Sequence, residues 1–549
     1  MSDAPIALGA MLDLAAERHP EAPAIVFKGR RIMYRELRER ADAFARGLLA
    51  LGLGPGDHVV IWMPNSVEWN VVNFAIAKIG AVTVTCNSRY KAFEVEYLLR
   101  QSDAKALIVV DKFDTAGVDY LEILRRVVPD VMWLQDRRVH SAKFPALRHV
   151  IVFGASRDPG CLDPEEVLRR GRAVPAGEPS QIRITPDSPV AMLYTSGTTG
   201  EPKGCLLSHG NFWYKAREFL ALHGWTHEDR CLVPVPYFHI FGALGCITAN
   251  ALAGSAQILM EVFEPEDAMR LIQDERVTLF SGVPTMFITV LGHPRFREFD
   301  LRSLRTGTIG AAPVPIEMMR KILDSDHGLG LGMDATVVYG LTEATGGTHF
   351  TRRGDPIDKR VSTVGRVTPE LIDRIVDPLT SRDCAAGEEG EVCVKGPSLM
   401  LGYYQRPEAT AEKIRDGWLH TGDMGIKDAE GYLRITGRLS DMIIVGGFNT
   451  YPAEIENFYL RHPKILDVSI VGVPDPVLGE VVMAFVIPRA GETLTPAEIV
   501  DFGRGQIANF KVPKHVEVVP EFPLTGSGKV QKFKQRSWAM ETYGFTAPA

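Results

Sequence analysis

Short apolar runs rich in β-branched residues alternate with longer segments of helical pattern along most of this chain. GDHVVIWM (56–63) precedes WNVVNFAIAKIG (69–80), then come AVTVTC (81–86), a more polar helical segment running to Leu99, and ALIVVD (106–111). Strand-sized runs separated by helices predict parallel sheets covered on both faces. PVAMLY (189–194) has the same texture and predicts another buried strand. After Asp377 the pattern shifts to short strands and turns, in GEEGEVCVKGP (387–397), DGWLHTGD (416–423) and GYLRITGR (431–438), the signature of an antiparallel or barrel-like layer. A last unit reads helix (451–463), strand (467–474), strand (480–488), helix (495–508) and strand (515–520), a small α+β domain. The boundary falls in GRLSD (437–441), giving domains of 1–438 and 439–549. No internal repeat or low-complexity run interrupts the scheme.

A chain of 549 residues exceeds one ordinary core, which agrees with more than one domain. Lys and Arg number 61 against 68 Asp and Glu, with no block of like charge to serve as a nucleic-acid footprint. The seven cysteines, Cys86, Cys161, Cys205, Cys231, Cys246, Cys384 and Cys393, show no CxxC spacing and suit buried thiols in a reducing cytoplasm. The N-terminal stretch is interrupted by Asp3, Asp13, Glu17 and Arg18 and reads as an amphipathic helix instead of a targeting segment. From Cys231 to Met260 there is no charged residue, yet Pro234, Pro236, His239, Asn250 and several glycines break the run, so a buried helix and strand are expected there and no membrane span. Oligomeric state stays open, a homodimer included.

The strand at 189–194 runs into YTSGTTGEPKG (194–204), where Thr195, Ser196, Thr198 and Thr199 stand among Gly197 and Gly200 and Lys203 closes the run. Small residues let backbone N–H groups approach anionic oxygens, while hydroxyls and Lys203 add donors and positive charge, so the loop has the chemistry of a phosphate cradle. It lacks the Lys-Ser/Thr pair of the common nucleotide P-loop, and taken alone it could also be a surface linker.

YTSGTTGEPKG resembles the signature loop of the adenylate-forming superfamily, which includes acyl-CoA synthetases. The resemblance continues in order through YFHIFG (237–242), GAAPVP (310–315), YGLTE (339–343), HTGD (420–423), GRLSDMIIVGGFNTYPAEIE (437–456) and PLTGSGKVQK (523–532). It implies a large α/β N-terminal domain, made of two doubly wound subdomains and a β-barrel-like layer, with a small mobile α+β C-terminal domain. It implies activation of a carboxylic acid by ATP and Mg2+ to acyl-AMP with release of pyrophosphate, then thioester formation with CoA.

The residues carry over by motif. Tyr339, Gly340 and the strip Gly310, Ala311, Ala312 resemble the adenine platform, Thr342 the α-phosphate contact and Glu343 the magnesium contact. Asp423 and Arg438 resemble the ribose pair, Lys529 the lysine that reaches carboxylate and α-phosphate, and His239 the histidine bordering the acyl site. Ser440 stands where the domain pivot is commonly Asp or Lys, and Gly446 and Gly447 resemble the glycines that let the pantetheine arm of CoA pass. Taken one at a time, Glu343 could be a helix-start acid, Asp423 a turn former, Lys529 a solvated lysine and His239 a core histidine; order and spacing favour the functional reading.

The chemistry fits these residue types. A carboxylate attacking a phosphate brings like charges together, and two unit charges 4 Å apart repel by about 4 kcal/mol at an effective dielectric near 20. Magnesium and Lys529 would offset that repulsion. The acyl pocket implied by the resemblance, His239, Gly242, Met286, Gly340 and Leu341, is small or apolar, with no cation aimed at a second carboxylate, which suggests an apolar acid tail. The chain has no carrier-protein segment after the lysine motif, and its wording is closest to medium- and long-chain fatty acyl-CoA ligases. An aromatic, alicyclic or terpenoid acid, with a carrier protein as acceptor, is the alternative; an inactive nucleotide-binding regulator is disfavoured by the presence of Lys529, Glu343, Asp423 and Arg438.

Overall fold

The computed structural model describes residues 4–133, 137–195, 201–312, 314–325, 330–445, 448–450, 452–524 and 530–545. The chain divides into two compact units. The first takes residues up to 197, 201–373 and 394–419; the second includes 374–393 and the chain from 420 onward.

The first unit holds two large sheets among its described residues. One has nine strands, and its central run of Asp334–Leu341, Thr306–Gly310, Leu279–Phe280, Arg230–Val233, Ala256–Leu259 and Pro23–Phe27 is parallel. Its edges are antiparallel, with Gly346–Phe350 and Arg366–Val367 at one side and Arg30–Met33 at the other. The second sheet has seven strands, with parallel Pro189–Thr195, Val82–Thr85, His58–Trp62, Ala106–Val110 and His149–Phe153, then antiparallel Lys203–Ser208 and Gly402–Tyr403 at one edge. The expected parallel sheets are therefore present but mixed at their margins. An antiparallel partner at an edge needs no right-handed crossover helix.

The apolar runs fold as their pattern dictates. HVVIW of His58–Trp62 is buried along its whole length, as a strand covered on both faces must be. The helical segment after it starts at Val67, two residues earlier than its apolar pattern, because Ser66 caps it by accepting the Trp69 N–H at 3.0 Å. The amphipathic N-terminal segment forms helix Leu8–Arg18, burying Leu8, Met11, Leu12 and Ala15. Between the sheets lie Leu12, Trp69, Phe74, Leu207, Phe212 and Ile247, each of which stabilises the fold by about 1.5–3 kcal/mol if fully withdrawn from water. The uncharged stretch from Cys231 to Met260 resolves into strand, short helix Ile240–Gly242, π-helix Ala243–Thr248, helix Ala249–Ala253 and strand. Among the described residues no helix is long and apolar enough to cross a membrane.

In the second unit, residues 423–427 pair antiparallel with Leu433–Arg438. Beyond it, Ile465–Asp475 and Gly479–Pro488 make a long antiparallel pair, and His515–Val518 joins the latter strand in parallel. Helices Pro452–Tyr459 and Lys532–Tyr543 pack on Ile465–Asp475, closing a core that includes Tyr459, Ile470, Met483 and Ile499. The helix expected over 495–508 ends at Gly503, where a Cβ would stand 2.1 Å from the Tyr459 hydroxyl, and Gly505 at φ +70° turns the chain away.

Candidate active site

The hydroxyl-rich run joins two antiparallel strands. Thr195 ends Pro189–Thr195, Lys203 begins Lys203–Ser208, and the two residues face each other. The Thr195 hydroxyl lies 3.5 Å from the Lys203 carbonyl oxygen. Ser196, Gly197, Thr198, Thr199 and Gly200 lie outside the described residues. Lys203 extends over the ring of Tyr403, Nζ 5.2 Å from its centroid, which is cation–π distance.

Tyr403 connects that lysine to the carboxylate singled out in YGLTE. Its hydroxyl donates to Glu343 Oε1 at 2.7 Å, and both residues are buried. Burial, then the charge of Glu343 and the hydrogen bond to it, push the Tyr403 phenol well above its ordinary range, so it stays a donor. Glu343 sits in the single turn Thr342–Ala344 after strand Asp334–Leu341. That turn is held by the Glu343 carbonyl, which accepts from Met400 N–H at 2.8 Å, and by Thr345, at φ +56°, whose hydroxyl donates to the Ser398 carbonyl at 2.7 Å. One tyrosine thus offers its ring to Lys203 and its hydroxyl to Glu343. No motif had singled Tyr403 out; it arrives by pairing with Cys205 across the sheet edge, a contact between distant parts of the chain.

A second group gathers at the carboxyl ends of the parallel strands, where open α/β sheets place their ligands. Gly310 pairs with Val338, and beyond it Ala311 and Ala312 are exposed, with Ala311 held at φ +73°, uncommon for a residue with a Cβ. Tyr339 is half-buried and faces His349 across the strands, with ring centroids 5.9 Å apart. His349 is itself buried between the Thr348 hydroxyl at 3.0 Å and the Asp373 carboxylate at 3.3 Å. Gly340 has no room for a side chain, since a Cβ would stand 2.0 Å from the Gly346 carbonyl oxygen. Ala311, Ala312 and Gly340 are thus open to solvent, while the backbone behind Gly340 is packed tight.

The expected acyl-pocket residues adjoin this strip. Leu341 pairs with Gly346, and a Cβ on Gly346 would meet Leu244 at 3.1 Å and Ile240 at 3.8 Å, so the short helix after His239 lies against it. His239 starts that helix, its Nδ1 accepting from Phe241 N–H at 3.3 Å. Gly242 follows the Pro236 backbone closely enough that a Cβ would fall 2.1 Å from its oxygen. Met286 lies beside Gly282, whose carbonyl accepts from Gly310 N–H at 3.2 Å.

In the second unit, Asp423 and Arg438 face each other in an antiparallel pair, and Arg438 Nε donates to Asp423 Oδ1 at 3.0 Å. The carboxylate is buried while the Arg438 side chain is 48% exposed. Ser440 lies in the turn Leu439–Asp441 directly after that strand. Gly446, Gly447 and Lys529 lie outside the described residues; the bridge between Leu524 and Val530 brackets the segment that carries Lys529.

Comparisons with known proteins show the family. The family described as AMP-binding enzyme matches residues 12–404, and the AMP-binding enzyme C-terminal domain matches 454–529. The chain belongs to the AMP-binding enzyme family. This AMP-binding enzyme is 39% identical to the putative acyl-CoA synthetase YngI of Bacillus subtilis, over 98% of each chain. It is 37% identical to the mitochondrial medium-chain acyl-CoA ligase ACSF2 of Bos taurus, covering 96% of this chain and 87% of that one. Its fold matches the crystal structure of the anthranilate CoA ligase AuaEII in complex with anthranoyl-AMP, with a TM-score of 0.83, 25% identity and 99% of each chain covered. Family and relatives make the chain an AMP-forming acid–CoA ligase that uses ATP and CoA.

Proposed function

We propose that this ligase activates a medium- or long-chain fatty acid, in the cytoplasm, and passes the acyl group from AMP to CoA. The observation that carries the substrate class is the apolar character of the side chains at the expected acyl pocket, Ile240 and Leu244 against Gly346 and Met286 against Gly282. An alkyl tail is stabilised among such groups by about 0.8 kcal/mol per buried CH2, and a charged tail would go unpaired. The naming of one relative as a medium-chain acyl-CoA ligase supports the same reading.

In this reading Tyr339, Gly340 and Gly310–Ala312 receive the adenine, and the loop Thr195–Gly200 with Lys203 holds the phosphates. Thr342 contacts the α-phosphate and Asp423 with Arg438 the ribose. Lys529 neutralises charge between carboxylate and α-phosphate, and His239 borders the acid. Glu343 is the magnesium ligand: a buried carboxylate beside a hydroxyl suits a hard cation that takes one or two carboxylates together with substrate phosphates. Bound there, the ion would supply positive charge against the triphosphate. The C-terminal domain expected over 439–549, pivoting at Ser440, then offers Gly446 and Gly447 to the pantetheine arm.

The test is pyrophosphate release from ATP and magnesium over acids from C2 to C18, aromatic acids and amino acids, each with and without CoA. Release with alkyl acids and turnover only when CoA is present is the expected result. Best turnover with an aromatic or hydrophilic acid would overturn the substrate class while leaving the reaction intact.

A further inference from the structure

The second unit contains a buried cluster that the proposed roles leave unused. Glu391 and Cys393, two apart on Glu389–Lys395 and so on one face of the strand, lie beside His420, and their ligand-type atoms all fall within 4.8 Å of one another. The spacing is that of hydrogen bonds and not of a metal site. His420 Nδ1 is 2.7 Å from Glu391 Oε2, whereas two tetrahedral ligands each about 2.0–2.1 Å from one zinc ion stand about 3.3 Å apart. Facing a carboxylate, Nδ1 is the donor, with Cys393 Sγ at 3.5 Å from the same nitrogen.

The other carboxylate oxygen of Glu391 is equally engaged, accepting from the Gly422 N–H at 2.9 Å. Gly422 is at φ +76°, so the strand kinks immediately before Asp423. Thr421 secures the same kink, donating to the Val392 carbonyl at 2.7 Å and accepting from the Asp423 N–H at 3.1 Å. One buried carboxylate therefore clasps the residues on both sides of Thr421, immediately before Asp423.

We propose that Glu391 is a positioning residue for Asp423, holding the His420–Gly422 kink so that the Asp423 carboxylate meets the ribose hydroxyls of ATP. The inference rests on the ribose role given to Asp423 above. A clasp of this kind acts on nucleotide binding in ground and transition states alike, so its loss shows in KM for ATP and in ribose selectivity, with little change in kcat.

The experiment compares ATP with 3′-deoxy-ATP in the full-length enzyme, reading pyrophosphate release. Glu391→Ala is expected to raise KM for ATP by roughly tenfold with kcat within about twofold, and to erase the preference for ATP over the deoxynucleotide. Glu391→Gln is expected to restore that preference, because its amide oxygen can still accept from Gly422 while its NH2 meets the other tautomer of His420. If the alanine variant fails to fold, Glu391→Asp replaces it: one methylene too short to span both partners, it too is expected to lose the preference. Full ribose selectivity in the Ala or Asp variant would overturn the inference. Full selectivity in Asp423→Ala would overturn the ribose reading on which it rests, and is a separate result.

Discussion

The two units assemble their candidate residues by opposite means. In the first, Lys203, Glu343 and Tyr403 come from segments widely separated along the chain and meet because sheet edges bring them together, with the carboxylate buried and its donor held above any working pH. In the second, Asp423 and Arg438 sit fifteen residues apart on one pair of neighbouring strands, and the guanidinium is half exposed. The lesson is one of coupling. A buried charge held by distant partners depends on the whole fold, whereas a pair on adjacent strands depends on its local turn, and substitutions should separate the two.

The largest effect is expected in the first unit. Glu343→Ala removes the proposed magnesium ligand and leaves the buried Tyr403 hydroxyl without its acceptor, so adenylation should fall by about 10²–10³-fold in kcat, the size seen when a preorganised electrostatic contact is lost. Pyrophosphate release checks it, and a fall of less than threefold would remove Glu343 from the machinery. The ribose pair should instead respond in KM, which is why the Glu391 series is the sharpest contrast.

Tyr403→Phe should have an intermediate effect. It keeps the ring under Lys203 and deletes only the hydrogen bond to Glu343, so about 1.5–3 kcal/mol of that interaction is at stake, with adenylation down by roughly tenfold. Equal activity in the phenylalanine variant would show that the ring alone matters.

Acid should distinguish the units more gently. In the first, burial lowers His149 and His209 to about 4 and His223 to about 3. A histidine lowered on folding contributes stability that is full above its unfolded pKa near 6.5 and is lost as pH falls toward the folded value. In the second unit, Asp475 is lowered to about 2 by Lys514 and the Leu478 and Val477 N–H groups, and Glu498 to about 2 by Lys464 and Thr495, so their contribution is lost only from about pH 4 downward. Partly buried His515 is lowered as well, and is the second unit's own share of the earlier window. Hydrogen exchange followed by region from pH 7 to 3 should show protection falling first in the first unit; simultaneous loss would mean that these histidines do not set its acid limit.

Much of this was legible in the chain because it is local. HVVIW and PVAMLY could only be buried strands, and the ordered motifs identify the chemistry class without a coordinate. Where reading by pattern erred, the cause was a tertiary neighbour. The helix over 495–508 stops at Gly503 against Tyr459, and the expected parallel sheets acquire antiparallel edges from strands such as Gly402–Tyr403, too short to announce themselves.

The sequence by itself determined the layering, the reaction and the residues that match motifs, since each depends on spacing along the backbone. Only the tertiary structure decided that Tyr403 meets both Lys203 and Glu343 and that Glu391 clasps the kink before Asp423. Neither contact leaves a periodic or compositional trace, because a hydrogen bond between distant residues depends on how strands are ordered in a sheet, which is settled by the packing of the whole core.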